Sequence, residues 1–151
     1  MNPAARFDPG TRWTQLLLRF CQQHELPARS LRTDGVLTFT VDRKYRIRAI
    51  PAPGNRLALE CVLMELPDGP DAQTDEMLLQ LAHTAAGLLK DYASTLAIDT
   101  RRQTLVVQQV MDAGTDIGAF RQVIAEFVNA VAFWQRMCTE IAARNSKGYV
   151  R

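Results

Sequence analysis

The stretch Val36 to Leu66, VLTFTVDRKYRIRAIPAPGNRLALECVLMEL, decides the fold. It opens with an alternation, Leu37, Phe39 and Val41 on one side and Val36, Thr38 and Thr40 on the other, which is the period of a strand. Asp42 and Arg43 supply a turn. A second strand follows at once, with Tyr45, Ile47 and Ala49 facing away from Lys44, Arg46, Arg48 and Ile50, and Pro51 to Asn55 hold the chemistry of the next turn. The third strand, Leu57 to Leu66, differs: Leu57, Leu59, Cys61 and Leu63 oppose Ala58, Glu60, Val62, Met64 and Leu66, so both faces are largely apolar. An antiparallel sheet that met its core on one side only would alternate more cleanly. Something must therefore cover the second face: the first helix, a subunit partner or a bound polypeptide.

Upstream of these strands, Asp8 and Pro9 read as an N-cap and first helical position, and Trp13, Leu16, Leu17, Phe20, Cys21 and His24 recur at helical spacing until Pro27 ends the pattern. Downstream, past an acidic linker from Pro67 to Thr74, a helix from about Asp75 to Tyr92 turns Met77, Leu78, Leu81, Ala85, Leu88 and Tyr92 toward a core. Leu79, Ala82, Ala86 and Leu89 widen that stripe beyond one contact face, and Ala82, Ala85, Ala86 and Gly87 let another backbone approach closely. Thr95 to Asp99 and Thr104 to Met111 form a hairpin around Thr100 to Gln103. Asp116 then caps a closing helix, predicted to end at Ala143, whose stripe is Ile117, Phe120, Val123, Ile124, Phe127, Val131, Trp134, Cys138 and Ile141, with Phe133 off it. The fold class is α+β: helix, three strands, helix, two strands, helix, with an antiparallel sheet flanked by helices. One domain is expected over residues 10–143, with flexible ends at 1–9 and 144–151.

A chain of 151 residues, 47% of them hydrophobic, is long enough to bury a real core. Its 18 Lys and Arg against 16 Asp and Glu leave a net charge of +2, too small to make nucleic acid or an anionic membrane the default partner. The charge is uneven, however: residues 1–66 carry ten basic and six acidic groups, residues 67–99 one and six, and residues 100–151 seven and four. Cys21, Cys61 and Cys138 lie apart from one another and form neither a CxxC pair nor a zinc knuckle, so a reducing compartment is expected. No run approaches the roughly 20 apolar residues that span a bilayer, and no secretion leader is visible. A soluble, cytoplasmic protein without membrane insertion is expected.

Residues for catalysis are scarce. His24 sits on the apolar face of the first helix and His83 on the polar side of the second, so no His pair at i, i+4 holds a metal. Cys21 and His24 share helical spacing but lack further ligands; a rim histidine beside a core thiol explains them. Ser30, Ser94 and Ser146 lie outside any GxSxG. Asp112 to Gly118 offers two carboxylates and two glycines without the Lys-Ser/Thr of a P-loop or the ligands of a calcium loop, and turn and N-cap chemistry accounts for it. A small enzyme centred on Asp112 and Asp116 lacks a converging base, nucleophile or metal set. No catalytic residue, metal ligand or cofactor is assigned. The basic run Arg43, Lys44, Arg46, Arg48 could mark a nucleic-acid-binding sheet, the alternative function here, but Tyr45 alternates to the opposite face and leaves no stacking platform. A solvated edge, or a basic rim drawing an acidic polypeptide to an apolar groove, are its other uses.

The order of elements, with Val36–Val41, Tyr45–Ile50 and Leu57–Leu66 ahead of the helices Asp75–Tyr92 and Asp116–Ala143, resembles the class I type III secretion chaperones, the Tir-chaperone-like proteins of Gram-negative bacteria, over residues 10–143. Leu78-Leu79-Gln80-Leu81-Ala82 and the phrase from Phe127 to Trp134 look like the corresponding helices of that family. The resemblance implies a bacterial, cytoplasmic homodimer without enzymatic activity that binds an extended N-terminal segment of a secreted effector and keeps it export-competent. Family members are usually acidic; the sequence pI near 8.6 departs from that and leaves room for a translocator or specialised partner. On this basis Leu17, Leu18, Val36, Val62 and Met64 are expected to line the effector surface, with Arg46 and Arg48 at its rim. Leu79, Ala82, Ala86, Leu89, Leu105 and Val107 are expected at the dimer interface.

Overall fold

The computed structural model describes residues 12–112 and 114–148. Its elements follow the expected order: α1 (Arg12–Gln23), a 3-10 turn at Ala28–Ser30, β1 (Leu37–Val41), β2 (Tyr45–Ala52), β3 (Arg56–Glu65), α2 (Ala72–Leu88), β4 (Thr95–Asp99), β5 (Thr104–Asp112) and α3 (Ile117–Gly148). The strands form a five-stranded antiparallel sheet in the order β1-β2-β3-β5-β4, which makes β1 and β4 its edges. The chain is thus α+β, as the pattern of alternation required.

Local chemistry sets the turns and ends. Asp42 and Arg43 both take positive φ, at 52° and 56°, and Lys44 donates its backbone N–H to the Val41 carbonyl at 3.0 Å, closing the three-residue connection Asp42–Lys44 between the two strands. The register that follows pairs Thr40 with Arg46 and Thr38 with Arg48. Asp99 turns the second hairpin by accepting from the backbone N–H groups of Arg101 and Arg102. Helix α2 starts earlier than predicted, because Asp71 accepts from the Thr74 N–H at 3.2 Å and caps it. It also stops at Leu88, so Tyr92 is not helical and, at 43% exposure, does not face a core as expected. The α3 cap is Asp116, accepting from the Ala119 N–H at 2.8 Å. This helix continues to Gly148, past the stop expected at Ala143. The Asp8 cap, the end at 1–9 and residues 149–151 lie outside the described residues.

Two compact units are present. The first comprises the chain up to Glu60 with Val110–Glu126, the second Cys61–Gln109 with the chain from Phe127 onward.

The first unit has a closed aromatic centre. Phe20 of α1 meets Phe39 of β1 and Phe120 of α3 edge-on, with ring centroids 5.1 and 5.3 Å apart. Each such pair adds about 0.5–1.5 kcal/mol beyond its area of burial. Leu37, Ile47, Ala49, Leu57 and Leu59 complete the core, and Trp13 anchors α1 by donating its indole N–H to the Asn55 carbonyl at 3.0 Å. In the second unit Leu81, Leu105, Val106, Val107, Phe127, Val131, Trp134 and Ile141 are buried. Of these only Leu81 comes from α2.

Candidate interaction surfaces

The second unit carries an apolar opening. Because α2 fully buries one leucine and leaves its other apolar residues half-buried or exposed, a cavity of about 530 Å³ opens between it and the β4 hairpin strand. Ala82, Ala85, Ala86 and Leu89 line its helix side, Leu96 and Ile98 its strand side, and Leu105 and Trp134 its floor. Leu89 is 65% exposed, Leu79 on the same helix 59% and Ile98 51%. The wall is almost wholly aliphatic. Its polar member of note is Ser94, buried with a hydroxyl that has no partner among the described residues.

Of the residues expected at a dimer interface, the structure brings Ala82, Ala86, Leu89 and Leu105 onto this one cavity. Leu79 is exposed on α2 but does not line it. Val107 is a correction: fully buried within the sheet, it offers no surface. Ile98, Leu96 and Trp134 were missed. The alternation of Leu96 and Ile98 along β4 could have flagged the first two, while Trp134 looked like core in its helical stripe, and is buried. Tyr92 leaves the core to stack on Phe133 at 5.9 Å, which explains why Phe133 lies off the main stripe.

The residues expected to hold an effector divide. Leu18 is exposed on α1 and Val62 and Met64 are half-buried, so these three retain accessible apolar surface. Leu17, at 1% exposure, and Val36 are corrections, since both are spent in the core and cannot line a surface of this chain. Arg46 is exposed on the outer side of β2, whereas Arg48 is half-buried and pairs with the Glu60 carboxylate on β3 at 3.0 Å. Lys44 lies over the Tyr45 ring at 5.1 Å, and Tyr45 itself is buried on the core side.

Nothing reactive converges nearby. Burial pushes the Cys21 and Cys138 thiols up from their ordinary range, which keeps them protonated and unreactive at neutral pH. The His24 ring lies tilted against Phe20, centroids 4.4 Å apart, beside the aromatic centre. Thr115 donates its hydroxyl to the Asp112 carbonyl while Asp116 caps α3, so the described part of Asp112–Gly118 is occupied in a turn and a helix start; Ala113 lies outside the described residues. Among the described residues no group of three His, Cys, Asp or Glu could hold a metal ion, and no helix is long and apolar enough to cross a membrane.

Comparison with solved structures places this fold among proteins crystallised with partners. The chain is similar to a chain of the ExsC-ExsE complex at 20% identity and TM-score 0.62, covering 81% of this chain and 90% of that one. It is similar to a chain of the HopA1-SchA chaperone-effector complex at 16% identity and TM-score 0.63, covering 82% and 93%. A third likeness is to the heterodimeric ExoU-SpcU complex from the type III secretion system of Pseudomonas aeruginosa, at 15% identity and TM-score 0.55, covering 79% and 94%. At these identities the likeness is one of fold. No curated protein sequence matches the chain. Residues 15–135, most of its length, match the family of Tir chaperone proteins, and the chain belongs to the Tir chaperone protein (CesT) family.

Proposed function

We propose that this chain is a homodimeric chaperone for a protein exported by a type III secretion system, holding an extended N-terminal segment of an effector or translocator in an export-competent state. The observation that carries this is the family match over residues 15–135. The chaperone-effector pairing named for one structural neighbour supports it, as do the accessible apolar residues Leu18, Val62 and Met64. Binding an extended segment requires alternate apolar pockets and a sheet edge rather than reactive groups. The protein therefore works in the bacterial cytoplasm without catalysis or a cofactor.

The homodimer rests on energetics. Leu79, Leu89 and Ile98 are 51–65% exposed, and covering them contributes at most about 1.5–3 kcal/mol each, to be set against an association cost of about 4–15 kcal/mol. A two-fold interface counts every residue twice. The upper bound then rises to roughly 9–18 kcal/mol, so a symmetric pairing offsets the association cost more readily than one copy of the patch does.

The test is co-expression of the chain with N-terminal segments of proteins encoded beside its gene, followed by co-purification. Wild type should retain one such segment at high ionic strength, because apolar burial is little screened. Val62→Asp should release it while leaving the fold and dimer intact. Failure to retain any segment, with a nucleic acid held instead and lost in Arg46→Glu, would favour a nucleic-acid-binding sheet.

A further inference from the structure

We propose that the outer face of the β1–β2 hairpin selects acidic partner segments, using Arg43 and Arg46 as carboxylate-binding cations; this rests on the chaperone function above and names the chemistry of its partner. Four basic residues occupy the hairpin, and two are already satisfied. Arg48 is neutralised by Glu60 at 3.0 Å, and Lys44 is folded over the Tyr45 ring. Arg43 and Arg46 are exposed, and neither forms an ion pair or side-chain hydrogen bond among the described residues. The strand beside them does not supply one either. Thr40 is the cross-strand partner of Arg46 and Thr38 that of Arg48, so the edge strand β1 presents short neutral side chains on this face. A guanidinium standing over such a strand is placed to grip carboxylates from a chain laid along the edge, in the two-pronged geometry that arginine favours.

Phosphates offer the same charge, but the face is poorly made for nucleic acid. Tyr45, the only aromatic residue on β2, is buried on the opposite side, so no ring is available to stack a base. An acidic polypeptide fits the observed arrangement better.

The experiment is selection from a display library of random peptides on the immobilised full chain. The double variant Arg43→Glu/Arg46→Glu serves for comparison; both side chains are exposed, and circular dichroism checks that its fold is kept. Wild type should enrich Asp and Glu by about two- to fivefold per carboxylate contact, the range that exposed ion pairs supply, and the variant should shift the preference to Lys and Arg. Peptides enriched without acidic bias, and identically by both proteins, would overturn the acid selectivity while leaving peptide binding in place. Enrichment of no peptide by either protein would remove the chaperone function and this proposal together. Tighter binding of an oligonucleotide than of any selected peptide, lost in the variant, would assign the two arginines to nucleic acid and overturn the proposal as well.

Discussion

Helices α1 and α2 are both rich in apolar residues, yet they end in opposite conditions. In its 12 residues α1 buries Trp13, Thr14, Leu16, Leu17 and Phe20, whereas α2, with 17 residues, buries only Leu81. The difference lies in how the apolar residues are distributed. On α1 most of them are gathered on one face, which packs into the core of the first unit, and Leu18 is the large apolar residue left exposed. On α2 they spread around the helix through Leu78, Leu79, Leu81, Ala82, Ala85, Ala86, Leu88 and Leu89, more than the rest of the second unit can cover. An apolar face that a single chain leaves open is where the proposed second copy would pack.

The contrast can be broken most forcefully at Phe20. Phe20→Ala opens a cavity between α1, β1 and α3 and should destabilise the chain by about 3–5 kcal/mol, read from urea unfolding followed by circular dichroism. Loss of under 1 kcal/mol would mean that the first unit is not the closed core described above. A smaller effect, of a different kind, is expected on α2. Ala86 is exposed in the single chain and lines the cavity, so Ala86→Arg should leave the helical signal unchanged. It should weaken the dimer at least about a hundredfold, near 2.8 kcal/mol, since symmetry brings two unpaired charges into an apolar contact. Dilution series by light scattering would measure it.

The smallest effect concerns the start of α2 and its dependence on pH. Hydrogen bonding from the Thr74 side chain, aided by backbone N–H groups, holds the Asp71 carboxyl below its ordinary range. A carboxylate whose pKa is lower folded than unfolded stabilises the fold above its unfolded pKa, and that contribution is lost as pH falls through the folded value. Asp71→Ala should therefore be less stable than wild type near neutrality, with the gap closing in acid. Equal stability differences at pH 7 and pH 2 would count against this cap.

Much of this was legible from residue spacing. The alternation Leu37, Phe39 against Thr38, Thr40 is reproduced in burial, with the first pair in the core and the second pair half-buried and exposed. The breadth of the α2 stripe likewise pointed to the uncovered Ala82, Ala86 and Leu89. Period alone, however, does not say which of two apolar sides is covered. Leu16, Leu17 and Leu18 are consecutive leucines, and only contact with the aromatic centre decides that the first two are buried and the third is exposed. Val36 was lost for the same reason. The start of α2 was hidden in an acidic linker, where Asp71 followed by Thr74 was the unread capping signal, and Tyr92 was placed by a helical period that outlasted the helix.

The most direct test of what covers α2 is sedimentation equilibrium of the unmodified chain at micromolar concentration. A particle of twice the 16.9 kDa chain mass, falling to one chain mass in Ala86→Arg, is the expected result. A single 16.9 kDa species for the unmodified chain would contradict the dimer and leave the α2 face without its proposed cover.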